Sequence, residues 1–419
     1  MSMLDILSPL VLLTLMLQCH YCHGTDVPED PTAEFSVRLY HLLQAGGDQD
    51  NIIFSPLSVA VALGMVGLGA RGVSLEQIRK VAGFSHLVSG GEFSLLQNLT
   101  APLADKEAHH VVRFANILFL QQGVTFNPEF LHLMKKYFKA HVEMVDFSQS
   151  AAVAKQINTW VENHTESMIQ ELMSAEDVSG ITRLMLVNAV YFRGSWKIQF
   201  RPENTRTFSF SKDDGSEVQT QMMYQQGDFY YGEFSDGSQE AGGMYQVLEM
   251  PYEGEDLSMM IVLPRQEVPL SSLEPIIKAP LLEEWANNVK LQKVEVYLPR
   301  SGGNHSNCYQ VNRSEVELHE VIIDTDKEER AETGIAGKDL YIGKAVQKAY
   351  LEVTEEGLEG AVGSGLVTLT RTLVLYPQVM ADHPFFFVIR DRRTGSILFM
   401  GRVMTPDVID ATGPDFDSL

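Results

Sequence analysis

The stretch that decides the fold lies near the carboxyl end of the chain, where residues 355–372 read Glu-Glu-Gly-Leu-Glu-Gly-Ala-Val-Gly-Ser-Gly-Leu-Val-Thr-Leu-Thr-Arg-Thr. The glycines at positions 357, 360, 363 and 365 favour a mobile backbone. The valines and threonines between them are β-branched, a residue type that favours strands. Strand-like runs flank the stretch, at residues 344–353 and from Leu373 onward. The composition therefore predicts a loop that a protease can cut and that can then pair with a sheet.

Upstream of this loop, the first half of the chain shows mainly helical patterns. Ser55-Pro56 places a capping hydroxyl before a first-turn proline. Residues 74–77 form a capping box that predicts the start of the next helix, and Asn127-Pro128 predicts the start of another. A further helix is predicted over residues 153–173.

The second half of the chain shows short apolar runs separated by turns, a pattern typical of strands. These runs are residues 184–192, 245–250, 257–263, 293–298, 385–389 and 397–400. Helices followed by strands predict an α+β fold.

The bulk properties exclude several classes of partner. With 419 residues, 45% of them hydrophobic, the chain can bury a sizeable core. Its net charge of −23 would repel nucleic-acid phosphates and anionic lipids, so neither nucleic acid nor membrane is an expected partner. The densest basic spots are Lys135-Lys136 and Arg392-Arg393, which we interpret as solvated faces.

No motif for catalysis or for cofactor binding is found. Residues 67–72 match the dinucleotide fingerprint, but a helical pattern precedes them where that motif needs a strand. The twelve histidines show no ligand spacing, and the adjacent His109-His110 is interpreted as a surface pair. We therefore expect no enzyme activity, no cofactor and no metal.

The first residues resemble a signal peptide. An apolar run at residues 10–17 is followed by polar and small residues through Gly24, and it is shorter than the ~20 residues needed to span a bilayer. Residues 1–24 are therefore predicted to be removed from a secreted, extracellular protein. An exported chain with the sequon Asn-x-Ser/Thr is expected to be a glycoprotein. Its acceptors are Asn98, Asn163, Asn304 and Asn312.

Three separated segments resemble signatures of the serpin family of serine protease inhibitors. They begin at Asn51, Asn188 and Asp382 and read Asn-Ile-Ile-Phe-Ser-Pro-Leu-Ser, Asn-Ala-Val-Tyr-Phe-Arg-Gly-Ser-Trp-Lys and Asp-His-Pro-Phe-Phe-Phe-Val-Ile. Segments beginning at Phe200 and Met222 resemble one member of the family in particular. The resemblance covers roughly residues 30–300 and 338–410.

The resemblance implies a serpin fold with three β-sheets, eight or nine helices and an exposed reactive-centre loop over about residues 355–375. Residues 25–419 would form a single serpin domain. The expected state is a monomer that can form loop–sheet polymers.

The resemblance also implies a mechanism. A protease attacks the Arg371-Thr372 bond and forms an acyl-enzyme. The cut loop then inserts into the large sheet, and the fifteen residues 357–371 span roughly 50 Å as a strand. The protease is carried to the opposite pole before water can release it.

The target class follows from Arg371. Its guanidinium suits a specificity pocket with an aspartate at its base, as found in trypsin-like serine proteases. The resemblance places tissue-type plasminogen activator first, with urokinase and plasmin as further targets.

Two further sets of residues match functional positions of the family. The loop hinge comprises Glu355, Glu356, Gly357, Leu358, Glu359, Gly360 and Ala361. The sheet-opening cluster comprises Ser55, Ser58, Asn188, Trp196 and Gln347.

The chain departs from the family pattern at the hinge, in the sheet-opening cluster and over residues 301–337. Leu358 stands where the hinge usually has Thr or Ser, and its bulk could slow insertion. Gln347 replaces a histidine of the sheet-opening cluster, and no family motif survives in residues 301–337. The match stops at Arg300 and resumes near Leu340, as an alternative exon would produce. These departures favour the alternative of a non-inhibitory serpin, acting as a substrate, carrier or chaperone, or of a misfolded product.

Overall fold

The structure is a computed structural model that describes residues 32–45, 47, 50–104, 110–237, 243–301, 346–351, 353–355 and 375–409. Its helices are α1 (Ala33–Gln44), α2 (Pro56–Gly69), α3 (Gly72–Val81), α4 (Gly91–Thr100), α5 (Pro128–Phe138), α6 (Ser150–His164), α7 (Leu270–Leu273) and α8 (Ala279–Asn288). Its strands are β1 (Ile52–Phe54), β2 (His110–Gln121), β3 (His141–Val145), β4 (Leu184–Gly194), β5 (Arg206–Ser211), β6 (Glu217–Ser235), β7 (Met244–Pro251), β8 (Leu257–Pro264), β9 (Lys290–Pro299), β10 (Val346–Leu351), β11 (Gln378–Met380), β12 (Phe385–Asp391) and β13 (Ile397–Val403).

The described strands form two hydrogen-bonded sheets. The nine-stranded sheet has the order β1-β13-β12-β8-β7-β6-β9-β11, with β5 also paired to β6, and the four-stranded sheet has the order β10-β4-β2-β3. A separate third sheet is not found among these strands, because the 19-residue β6 joins the two halves of the larger one. The first part of β6 pairs with β5 and β9, and the last part of β6 pairs with β7.

Helix α2 lies between the two sheets and contacts both β4 and β13. Nearly all of its residues are buried, which explains why its sequence is apolar all round. The predicted start is confirmed, because Ser55 is the N-cap and its hydroxyl accepts a hydrogen bond from the Ser58 amide at 3.2 Å.

The two central strands of the four-stranded sheet, β2 and β4, are covered on both faces. One face shares the core of α2, through residues such as Val190 and Phe192 of β4. On the other face Ile157 and Val161 of α6 pack against the sheet. A strand that is covered on both faces has a nearly continuous apolar sequence instead of alternating apolar and polar residues. For this reason β2 was not recognised as a strand in the first half of the sequence, where helical patterns dominate.

Three predicted helix boundaries can be compared with the structure. The start at Asn127-Pro128 is confirmed, with the Asn127 side chain accepting from the Glu129 amide at 2.9 Å. The capping box at residues 74–77 is wrong as a start, because α3 already begins at Gly72. The helix predicted over 153–173 ends at His164, and Glu166 and Ser167 follow with φ of 53° and 63°, which helical residues do not adopt.

Among the described residues, none of the helices combines the length and the apolar character that crossing a membrane would require.

Candidate functional site

The candidate site lies along the contact between β10 and β4, which we call the seam. The two strands pair in parallel, from Val346 opposite Val187 to Leu351 opposite Phe192. Residues 353–355 continue from the end of β10, and the predicted reactive-centre loop follows them in sequence. The seam is therefore the part of the sheet to which the loop is attached.

A serine–asparagine cluster lies beneath the seam. Asn188 of β4 stands opposite Gln347 of β10 on one side and opposite Asn116 of β2 on the other. The Asn188 amide donates to the Asn116 side-chain oxygen at 2.7 Å, while the Ser58 hydroxyl donates to the Asn188 side-chain oxygen. All three polar side chains are buried, so each hydrogen bond replaces one that water would otherwise make.

A second cluster, the tryptophan–glutamate cluster, lies at the other end of the seam. Trp196 stacks on Tyr252 with ring centroids 4.5 Å apart, and its indole N–H donates to the Thr354 carbonyl at 3.1 Å. Burial raises the pKa of the Tyr252 hydroxyl well above its usual value. The indole thus ties the start of the predicted loop to the nine-stranded sheet.

Glu355 completes this cluster and is buried, with 5% of its surface exposed. Its carboxylate accepts a hydrogen bond from the Thr205 hydroxyl at 2.8 Å and lies 3.0 Å from the Arg300 side chain. The Arg300 Nε is not aligned for a hydrogen bond, so this contact is an ion pair only. The Glu355 carbonyl also accepts from the Phe200 amide at 3.2 Å. Four separate contacts therefore fix Thr354 and Glu355, where the predicted loop begins.

The chain after β9 contacts the residues that follow β10. Ser301 forms an antiparallel bridge with Val353, with Ser301 N–H donating to the Val353 carbonyl at 2.8 Å. Residues 302–345 lie outside the described part of the chain, so the predicted departure over 301–337 stays a prediction beyond Ser301.

The turn between β12 and β13 carries ion pairs. Arg392 lies 3.3 Å from the buried Glu249 carboxylate, and its guanidinium sits 4.8 Å above the Tyr230 ring. The Arg393 hydrogen bond to Asp391 raises the pKa of that guanidinium. The solvated-face interpretation is therefore wrong for Arg392, which is half-buried against Glu249, and is confirmed for Arg393, which is exposed although it pairs with Asp391.

The surface interpretation of His109-His110 is also wrong for the second residue. His110 is the first residue of β2 and only 4% of it is exposed. His109 lies outside the described residues.

The structure separates the predicted sheet-opening residues into two groups. Ser55, Ser58 and Asn188 lie at the serine–asparagine cluster, and the backbone of Gln347 lies beside them. Trp196 lies at the opposite end. Of the predicted hinge, only Glu355 is described, and Glu356, Gly357, Leu358, Glu359, Gly360 and Ala361 lie outside the described residues together with Arg371 and Thr372.

Sequence reasoning missed four members of these clusters. Asn116 is the one amide side chain inside the apolar part of β2, and a buried polar residue there was a usable signal. Tyr252, Thr205 and Arg300 gave no such signal, because only the fold brings them to Trp196 and Glu355.

Two of the four predicted glycan acceptors are described. Asn98 on α4 and Asn163 on α6 are both exposed. Thr165 of the second sequon is fully buried, and its hydroxyl donates to the Val161 carbonyl at 2.9 Å. Any glycan at Asn163 must therefore be added before this helix end packs. Asn304 and Asn312 lie outside the described residues.

The family model described as serpin (serine protease inhibitor) matches residues 30–406. The chain therefore belongs to the serpin family, as the three signature segments indicated. It is 53% identical over 414 residues to neuroserpin of Gallus gallus, an alignment that covers 97% of this chain and 99% of the relative. Neuroserpin of Homo sapiens gives the same identity and coverage, whereas serpin I2 of Homo sapiens is 35% identical over 392 residues, which are 92% of this chain and 93% of that protein.

Solved structures of serpins share the fold. Native protease nexin-1 with heparin superposes with a TM-score of 0.78 at 30% identity, covering 90% of this chain and 98% of the other. Thyroxine-binding globulin in complex with thyroxine superposes with a TM-score of 0.76 at 26% identity and the same coverage. The serpin fold is therefore confirmed, with eight α-helices in the described residues.

Proposed function

We propose that this serpin is an exported inhibitor that captures trypsin-like serine proteases when they attack the Arg371-Thr372 bond. The observation that carries the proposal is the seam, where a parallel strand pair ends at the attachment point of the predicted loop. The cut loop inserts between β4 and β10 and becomes a new central strand.

The geometry of the seam suits such an insertion. A segment that folds back from the end of β10 runs antiparallel to β10, and because β10 and β4 are parallel it runs antiparallel to β4 as well. One parallel ladder is replaced by two antiparallel ladders, which are slightly more stable per residue. The net gain in hydrogen bonds supplies the free energy for moving the attached protease.

The two clusters control this opening. The serine–asparagine cluster lies where β4 must separate from β10, and the tryptophan–glutamate cluster holds residues 354–355 where insertion begins. Each stabilises the closed seam without taking part in any bond cleavage.

The target class rests on Arg371 and on the likeness to neuroserpins. An arginine at the attacked position pairs with an acidic specificity pocket through charge-assisted hydrogen bonds. Tissue-type plasminogen activator is the first target proposed, followed by urokinase and plasmin.

The experiment compares Arg371→Ala and Arg371→Lys with the unchanged chain. Incubation with tissue-type plasminogen activator is expected to give an SDS-stable complex for the unchanged chain and for the lysine variant, which keeps the charge. The alanine variant is expected to give none. Cleavage of the unchanged chain at Arg371 without a complex would contradict the proposal.

That last outcome would instead support the second candidate, a non-inhibitory serpin. Its specific basis is Leu358 in the hinge and Gln347 at the position opposite Asn188. A loop that inserts too slowly lets the acyl-enzyme hydrolyse, and the chain then behaves as a substrate.

Export and glycosylation are part of the proposal and have direct tests. When the chain is expressed in secreting cells, we expect the protein in the culture medium to start at residue 25. Removal of N-glycans is expected to lower its mass, and Asn98→Gln and Asn163→Gln are each expected to remove one glycan. A chain that stays in the cells with residues 1–24 attached would contradict export.

A further inference from the structure

Two histidines on different elements lie side by side at the carboxyl end of α6. His141 is the first residue of β3 and His164 is the last residue of α6, and their ring centroids are 5.7 Å apart. Trp160 stacks on His164 at 3.9 Å and makes an edge contact with His141 at 5.9 Å. Both histidines are exposed to solvent.

The two elements that carry these histidines are held in register. Gln156, one turn before Trp160, donates to the Glu143 carboxylate at 2.6 Å. The Trp160 side chain is itself part of the core beneath the helix, with 9% exposed. The imidazoles are thus positioned by groups that pack or bond independently of them.

The hydrogen bonds leave a free lone pair on each ring. His164 Nδ1 faces the Trp160 carbonyl at 2.7 Å, and because a carbonyl can only accept, Nδ1 carries the proton. In the neutral ring Nε2 then carries the lone pair, the arrangement found in metal-ligating histidines. Within the described part of the chain, the contacts of the His141 ring are aromatic only.

We propose that His141 and His164 together bind a divalent transition-metal ion of the Zn²⁺ and Ni²⁺ type, with water completing its coordination. Imidazole nitrogens bind such ions at about 2.0–2.1 Å, so two rings on one tetrahedral ion have centroids about 5 Å apart. The observed centroid distance of 5.7 Å is close to this separation. His141 and His164 show no ligand spacing in the sequence because they belong to different elements. The proposed site does not depend on protease inhibition.

The bound ion joins the edge strand of the four-stranded sheet to the helix that covers one of its faces. Because the unfolded chain does not hold the two rings together, the ion binds the folded state in preference and stabilises it. Zn²⁺ is therefore expected to raise the Tm of the full chain.

The test follows tryptophan fluorescence of the full chain during titration with NiCl₂. Ni²⁺ bound between the two imidazoles lies beside Trp160 and is expected to quench it in a saturable manner, and excess Zn²⁺ is expected to reverse the quenching. Trp160→Phe is expected to remove most of the quenching, because Trp285 and Trp196 are buried elsewhere in the fold.

The variants His141→Gln and His164→Gln are each expected to weaken Ni²⁺ binding more than about tenfold. His132→Gln is the matched control, since His132 is an exposed histidine on α5. An unchanged affinity in either site variant, or an equal loss in the control, would overturn the proposal. Both site histidines are exposed, so the variants are expected to fold, and circular dichroism checks this.

Discussion

At the residue scale, a few buried polar side chains lie beneath the seam in apolar surroundings. Asn188 is 2% exposed, yet its amide and its oxygen both have partners, from β2 and from α2. Buried polar groups are tolerated only when they are paired, so each member of the serine–asparagine cluster requires the others.

The variant Asn116→Ala tests that dependence. It leaves the buried Asn188 amide without its acceptor, so we expect a loss of roughly 1–3 kcal/mol in the free energy of unfolding. Urea denaturation of unglycosylated protein measures this free energy of unfolding. Asn98→Ala, at an exposed position on α4, is the control and is expected to change the free energy by less than about 0.5 kcal/mol. Equal effects of the two variants would show that the serine–asparagine cluster does not stabilise the seam.

Glu355 is the corresponding residue at the other end of the seam. Glu355→Ala removes the Thr205 hydrogen bond and the Arg300 ion pair. The Arg300 side chain is 40% exposed, so water rehydrates it and the expected loss is only about 1 kcal/mol. The same urea experiment measures it, with the exposed Glu203→Ala as control. A more stable variant would mean that desolvation of the carboxylate outweighs its contacts.

At the element scale, close approach of strands decides which residues are allowed. Gly401 of β13 pairs with Ile53 of β1 on one side and with Phe387 of β12 on the other. A Cβ atom built at this position would overlap the Ile52 carbonyl oxygen. The glycine is therefore required by packing, since its φ is not in the left-handed region.

Gly401→Ala is expected to cost more than about 4 kcal/mol of stability, because backbone atoms of β1 must move and their pairing with β13 is lost. Soluble yield and Tm measure the effect. Gly91→Ala is the matched control, since a Cβ there would meet only the Leu87 Cβ at 3.7 Å, an ordinary contact. If the two variants have the same Tm, the close approach does not constrain the sheet.

At the scale of the whole molecule, stability is expected to depend on the state of the loop. Under the proposed function, cleavage at Arg371 would free fifteen residues to pair on both sides within the seam. Each hydrogen bond it adds contributes about 1 kcal/mol. The native arrangement is then less stable than the cleaved one, which is the condition for inhibition by insertion.

We therefore expect the Tm of the cleaved chain to lie well above that of the intact chain. Differential scanning calorimetry before and after limited digestion with a trypsin-like protease measures the change. Arg371→Ala, treated in the same way, is expected to keep the Tm of the intact chain. Cleavage at Arg371 with no rise in Tm would exclude insertion and leave the non-inhibitory alternative.

Much of the site could be predicted from sequence because its members lie in segments with family signatures. Ser58, Asn188 and Trp196 belong to such segments, and the structure places them at the seam. Asn116 was missed because β2 was not predicted as a strand, so its amide was not recognised as a buried polar group. Arg300 was missed because its partner Glu355 is 55 positions away in the sequence.

Local sequence by itself determined the helix starts at Ser55 and Asn127, most of the strands, and the family, since capping hydrogen bonds, hydrophobic runs and signatures are all local features. Only the tertiary structure decided that β6 joins two sheets into one, that Glu249 and Asp391 hold Arg392 and Arg393, and that His141 meets His164. Each of these depends on which distant segments share a strand edge or a buried face. Such contacts form when apolar surface is buried throughout the molecule, and no short stretch of sequence contains them.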